Sequence, residues 1–235
     1  MSTQPYSKHE WVQETRFGKW FLSTDIWYKY VLTEAFDDLG TLLKERIPSG
    51  KVLDAGCGQG QAFTLLEKYF NPSLIVGLDI DFELISRAQS EADKIQCPNE
   101  LIVGTATQLP YPDNYFDTIF CHQLLHHVGN QMAVLKEFHR VLAPEGILLV
   151  CESCQSFIES YWVRWLFRHP MQAQKSAEEY IELVRSAGFE IGDQNINKTT
   201  PWWSLRDFGI TQKLGIRNPE SLVTTEVAMI ADKKH

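Results

Sequence analysis

The chain has 235 residues, 44% of them hydrophobic and 22% charged, a mix that can bury a sizeable core in one large domain. Its formal net charge of -8, from 30 acids against 22 lysines and arginines, argues against a nucleic-acid partner, because phosphate binding needs a basic face. No apolar run reaches the roughly 18 residues of a membrane span. The N-terminal "MSTQPYSKHEWVQETRFGKW" lacks the continuous apolar stretch of a secretory signal. Five scattered cysteines without such a signal predict reduced thiols and a cytoplasmic protein. Cys151 and Cys154 form a lone CxxC with no second pair to complete a zinc site, so no metal is expected.

Residues 1–49 precede the first strand and read as a helical cap, with one helix from about Asp25 to Ile47. "KVLDAG" (51–56) is a short strand ending in glycine, and "QAFTLLEKYF" (61–70) has helical spacing and stops before Asn71-Pro72. "LIVGLDI" (74–80) is a strand, followed by a helix over 81–95 that Asp81 can cap. "ELIVGTA" (100–106) and "YFDTIFCH" (115–122) are strands. The helix 131–144 is expected to end at Pro144, and "EGILLVCES" (145–153) is the next strand. A helix over 176–188 closes at Gly188, and strands at 189–196 and 222–232 finish the chain. Strands alternating with helices predict an α/β fold: a doubly wound, Rossmann-like, mostly parallel seven-stranded sheet with an antiparallel last strand and helices on both faces. Two stretches fall outside that rhythm and read as lid insertions in a domain covering 50–235. They are residues 153–173, with an amphipathic aromatic segment, and residues 197–221, a long connection between the last two strands.

The tightest clue is "DAGCGQG", where Gly56, Gly58 and Gly60 follow Asp54 directly. A glycine-rich turn at the carboxyl end of the first strand lets the backbone approach a ligand. The spacing differs from the GxGxxG of dinucleotide sites, and Asp54 would repel a diphosphate but suits an ammonium group. Asp79, at the end of the second strand, is placed to accept hydrogen bonds from ribose hydroxyls. An ammonium, a ribose and no phosphates describe S-adenosylmethionine better than a nicotinamide dinucleotide.

At this point the chain resembles the class I S-adenosylmethionine-dependent methyltransferases of small-molecule type, related to the ubiquinone and menaquinone biosynthesis methyltransferases. The residues that carry the resemblance are "VLDAGCGQG" (52–60), "VGLDID" (76–81), "VGTATQLPYPDNYFDTIFCHQLLHHV" (103–128) and "LKEFHRVLAPEGILLV" (135–150), over roughly residues 50–152. The resemblance implies that Asp54, Ala55, Gly56, Cys57, Gly58 and Gly60 cradle the methionine part of the cofactor. It implies that Asp79 holds the ribose, Ile80 packs on the adenine, and Cys121 lies near the methionine moiety. Where the family usually has an acid for the adenine amino group this chain has Thr105, and the backbone N–H of Ala106 is the substitute contact. His126 and His127 match the family's paired histidines.

An acceptor that loses a proton needs a general base, for which His127, His122 and His126 are the candidates. Each also reads as a packed structural imidazole. The aromatics of the three added segments (Trp27, Tyr28 and Tyr30; Tyr161, Trp162, Trp165 and Phe167; Trp202, Trp203 and Phe208) read either as packing or as walls for a small apolar or aromatic acceptor. The expected protein is a monomer or homodimer acting on a small molecule. The alternatives are a cofactor-binding module without turnover and a nucleotide-dependent oxidoreductase.

Overall fold

The computed structural model describes residues 12, 14–44, 46, 50–205, 210–215 and 223–233. Five strands run parallel: β1 (Lys51–Ala55), β2 (Leu74–Asp79), β3 (Asn99–Val103), β4 (Phe116–His122) and β5 (Leu142–Ser153). A long antiparallel strand, β8 (Glu226–Lys233), pairs with β5 along Ile147–Ser153. The order is β3-β2-β1-β4-β5-β8-β6. The chain reverses its direction of sheet growth between β1 and β4, the switch point at which open α/β sheets bind ligands.

The sheet has eight strands, not the expected seven. Residues 189–196 do not form one strand: β6 (Phe189–Glu190) and β7 (Ile196–Thr199) both pair with β8 but are separated by a 3-10 turn at Asp193–Asn195. Gly192 and the turn residues Asp193, Gln194 and Asn195 suit that break. The helix expected to run to Pro144 stops at Val141, and Leu142 already pairs with Phe116 as the first residue of β5.

Strands β1, β4 and β5 are buried on both faces, which their apolar runs require. One core packs Leu53, Val76, Ile119, Leu148 and Met229 against the helices Gln131–Val141 and Ala177–Ser186. The other packs Val52, Ile75, Phe120 and Leu149 against the helices Thr33–Leu43, Phe63–Phe70 and Phe82–Ala92.

The N-terminal helix from Asp25 is continuous to Leu43, short of the expected Ile47, because Lys44 takes a φ of 53°. Its middle, Tyr28–Leu32, is a π-helical turn, and the Thr33 hydroxyl donates to the Tyr28 carbonyl across it at 2.9 Å. Such turns often mark functional walls, and Tyr30 and Val31 in it line the cavity described next. The aromatic segment 153–173 is two short helices, Gln155–Ile158 and Tyr161–Leu166, rather than one amphipathic helix. No helix among the described residues is long and apolar enough to cross a membrane. All five cysteines are buried free thiols, Cys151 and Cys154 included.

Candidate active site

The chain leaves β1 at Asp54 and Ala55 and turns within the width of two strands. Gly56, Gly58 and Gly60 hold φ of 76°, 55° and 78°, the region in which a side chain is strained. A Cβ on Gly60 would lie 2.6 Å from the Phe63 ring, and one on Gly56 would lie 2.9 Å from Leu124 Cδ1, so these two glycines serve close packing. A Cβ on Gly58 would meet nothing within 4 Å, because this residue faces a cavity of about 1530 Å³ at the switch point. That volume exceeds the roughly 300–1,000 Å³ usual for one small ligand and leaves room for two.

Two carboxylates sit on the cavity wall beside Gly58. Asp54 is 2% exposed, and its Oδ2 has no hydrogen-bond partner. Burial, with Asp79 adding like charge, pushes its pKa up to about 8. Asp79 accepts from the Gly58 N–H at 3.0 Å and the Asp81 N–H at 2.8 Å, one on each oxygen. Burial raises its pKa to about 6, against the pull of those N–H donors. A carboxylate has about four lone-pair sites, so Asp79 keeps acceptor capacity for two hydroxyls. Ile80, Thr105 and Ala106 complete this end of the wall. The Thr105 hydroxyl is turned onto the Thr107 hydroxyl at 2.8 Å.

The predicted cofactor set is not all on the wall. Ala55 and Cys121 are fully buried, face each other in the β1–β4 register and lie in the sheet core. Neither lines the cavity. Gly60 backs onto Phe63 and Ala88. Cys57 does line the cavity, and burial keeps its thiol well above the usual pKa and protonated.

At the other end of the cavity are the histidines. The 3-10 turn Leu125–His127 follows β4, and buried Glu152 at the end of β5 organises it. Glu152 Oε1 accepts from the Leu124 N–H at 2.8 Å and the Leu125 N–H at 2.6 Å, while Oε2 holds His126 Nδ1 at 2.7 Å. The three imidazoles form a triangle: His127 lies 4.2 Å from His126, tilted, and 4.8 Å from His169 of the lid segment, stacked, between ring centroids, and His126 lies 5.1 Å from His169. Burial and the neighbouring His126 hold the His127 pKa well below its usual value and lower that of His169 to about 3. His122 stands apart, stacked on Phe120 at 5.8 Å, with a buried Nε2 that has no partner. Burial brings its pKa down to about 3, so it rests neutral.

Phe17, Phe21 and Gln59 line the cavity without a signal in the sequence, and the aromatics singled out there surround it with them. Lys19, only 7% exposed, pairs with Asp81 and Glu83 and carries the helix Arg16–Phe21 over the glycine turn. Gln59 in that turn donates to the Lys19 carbonyl at 2.8 Å. Phe17 and Phe21 of the same helix meet Phe167 edge to face, each at 5.7 Å. Trp203 donates through Nε1 to Glu34 at 3.1 Å, and Trp202 abuts Tyr30 at 5.3 Å. Trp162 and Trp165 line the cavity yet are 52% and 70% exposed, so they stand at its mouth. Phe208 lies outside the described residues.

Residues 53–150 match a family model described as a methyltransferase domain. The chain is 32% identical over 157 residues to a demethylmenaquinone methyltransferase of Geobacillus sp. (strain WCH70), covering 63% of this chain and 67% of that protein. This chain belongs to the class I S-adenosylmethionine-dependent methyltransferases. S-adenosylmethionine is the cofactor of that family. This methyltransferase is also 32% identical over 184 residues to phosphoethanolamine N-methyltransferase 3 of Arabidopsis thaliana, covering 75% of this chain and 35% of that protein. It thus spans about a third of the length of the phosphoethanolamine relatives it matches. Among solved structures, a chain of the Haloferax volcanii complex between the Trm112 methyltransferase activator and a methyltransferase superposes with a TM-score of 0.69. The two are 17% identical and covered to 93% each, a likeness that concerns the fold.

Proposed function

We propose that this chain binds S-adenosylmethionine between Asp54, Gly58 and Asp79 and methylates a small, largely apolar or aromatic acceptor held under the aromatic lid, in the cytoplasm. The observation that carries the reading is the buried Asp54 Oδ2, a carboxylate oxygen without a partner in the wall of a cavity. Next to it, Gly58 leaves the space that a side chain would fill. A buried acid in that state costs stability unless a cationic ligand meets it. The ammonium of the methionine part fits it, and the ribose hydroxyls fit the free lone pairs of Asp79.

The cofactor supplies a methyl group already activated on a sulfonium, so the protein's task is alignment and exclusion of water. The helix Arg16–Phe21 closes one side through Lys19, and the Phe17–Phe21–Phe167 cluster ties it to the lid. Thr15 Oγ1 donates to the Leu166 carbonyl at 2.8 Å and strengthens the same seam. The acceptor takes the part of the cavity between the aromatic mouth and the histidine turn, which is where its proton is lost. Free buried thiols and a formal net charge of -8 support the reading of a cytoplasmic, small-molecule enzyme.

The test is calorimetry with S-adenosylmethionine on the wild-type chain and on Gly58→Val, followed by labelled-methyl transfer to a small-molecule extract. Wild-type binding, lost in a variant that still folds, is expected. Unchanged binding by Gly58→Val would remove the cradle. Binding without any labelled product would make the chain a cofactor-binding module.

A further inference from the structure

His126, His127 and His169 each offer one ring nitrogen, and those three nitrogens lie within 4.8 Å of one another. All three residues line the acceptor end of the cavity. Around a tetrahedral zinc ion with Zn–N near 2.0–2.1 Å, neighbouring nitrogens are roughly 3.4 Å apart. Side-chain rotations of about 1 Å therefore close the trio onto a single ion.

Two further features suit a metal. Histidines that bind metals almost always give their other ring N–H to a carboxylate, which fixes the tautomer and orients the ring. Glu152 does this for His126: its Oε2 lies 2.7 Å from Nδ1, and its Oε1 is anchored by two backbone N–H groups. Donation from Nδ1 leaves the Nε2 lone pair of His126 for a ligand. Glu152 is also fully buried, and among the described residues no lysine or arginine pairs with it. A buried carboxylate without a fixed cation is expensive, and a dication one imidazole away offsets it.

The turn and the lid are fastened in register. Gln131 Nε2 donates to the carbonyls of both Leu125 and Ala173 at 2.8 Å, and Gln174 Nε2 donates to the His126 carbonyl at 2.8 Å. His169 Nδ1 is buried and has no partner. The lid histidine is thus brought to a prepared pair rather than left in solvent.

We propose that His126, His127 and His169 form a binding site for a zinc-like transition-metal ion, with a fourth coordination position open to the cavity. Three neutral nitrogen donors select zinc, cobalt, nickel or copper over magnesium and calcium. Three protein ligands with one open position are the arrangement of catalytic rather than structural sites. The open position takes the heteroatom of the acceptor, and an ion there lowers the pKa of a bound hydroxyl or thiol, whose proton leaves to solvent. The metal site itself stands independently of methyl transfer; only the identity of the fourth ligand rests on that reading.

The experiment strips the full chain of metal by chelation and titrates it with Co²⁺, followed by the visible band of tetrahedral cobalt and by displacement with Zn²⁺. One ion per chain is expected. His169→Ala and His127→Gln should each weaken it by at least about tenfold. Glu152→Gln, which keeps all three ligands, should weaken it by about 10–100-fold. His139→Ala, at a ring packed on Phe189 and away from the cavity, should leave it unchanged. Circular dichroism on each variant confirms the fold. The proposal is overturned by the absence of stoichiometric binding, or by binding that survives both His169→Ala and His127→Gln in folded protein. Cofactor calorimetry on the metal-free chain runs alongside. If cofactor fails to bind while cobalt binds, methyl transfer falls and the metal site stands; the reverse result removes only the metal.

Discussion

The two ends of the cavity are built in opposite ways. The proposed cofactor end is local: Asp54 to Gly60 is one strand and its turn, Asp79 is the end of the adjacent strand, and their contacts are set by parallel register. The proposed acceptor end is assembled from distant pieces. His126 follows β4, Glu152 ends β5, His169 comes from the lid, and the aromatic seam adds Phe17 and Phe21 from the N-terminus. A site made from a strand and its turn is rigid before any ligand arrives. One made from four segments depends on how those segments close, and closure is where small-molecule specificity is set.

Substitutions should separate the two ends. His126→Ala removes the imidazole that Glu152 orients, whether that imidazole acts as the base or holds an ion, and should lower turnover by about 10²–10⁴-fold with cofactor affinity unchanged. A parallel loss of cofactor binding, seen by calorimetry, would show that the ends are not independent. Asp79→Ala should do the converse. Losing charge-assisted hydrogen bonds to the ribose, about 2–3 kcal/mol, weakens cofactor binding about a hundredfold.

Proton linkage sharpens the contrast further. The folded chain raises the Asp54 pKa to about 8 from an ordinary 3.8, so between those values it holds a proton that the unfolded chain has lost. Stability of the cofactor-free protein therefore falls as pH rises from about 4 to about 8, by an amount on the order of a few kcal/mol. Asp54→Asn should flatten that slope in thermal melts. An ammonium at Asp54 favours the ionised carboxylate, so cofactor binding at pH 7 should release protons. This is read by calorimetry in buffers of different ionisation enthalpy. Proton release that persists in Asp54→Asn would move the linkage to Asp79. The smallest effect is expected at the lid's support: Trp203→Phe loses one hydrogen bond to Glu34, about 0.5–1.5 kcal/mol, with a lower melting temperature and unchanged turnover. A drop in turnover instead would place Trp203 among the acceptor contacts.

The glycine turn and the carboxylates Asp54 and Asp79 beside it were legible in the sequence because their information is short-range. Clustered glycines report positive φ, and an acid at a strand end reports a position at the sheet's carboxyl edge. Legibility failed within the same motif where burial decides. Nothing in "DAGCGQG" separates Gly56 and Gly58, which line the cavity, from Gly60, which permits packing against Phe63. Likewise Cys121 follows the pattern of a rim residue, yet the β1–β4 register turns it into the core opposite Ala55. The split of residues 189–196 into two strands follows the turn residues Gly192 to Asn195, a local signal masked in the strand expectation by the apolar Phe189, Ile191 and Ile196 around it.

By itself, the sequence determined the alternating strands and helices, the parallel sheet, the glycine turn and the carboxylates Asp54 and Asp79, since each depends on the spacing of neighbouring residues. It also marked His126 and His127 as a pair. Only the tertiary structure decided that His126 is fastened to Glu152, that His169 joins the pair from a segment over 40 residues away, and that Lys19 bolts the first helix over the cofactor end. These contacts join residues far apart in the chain. Their existence depends on how the helices and lid pack on the sheet, and no local pattern records that distance.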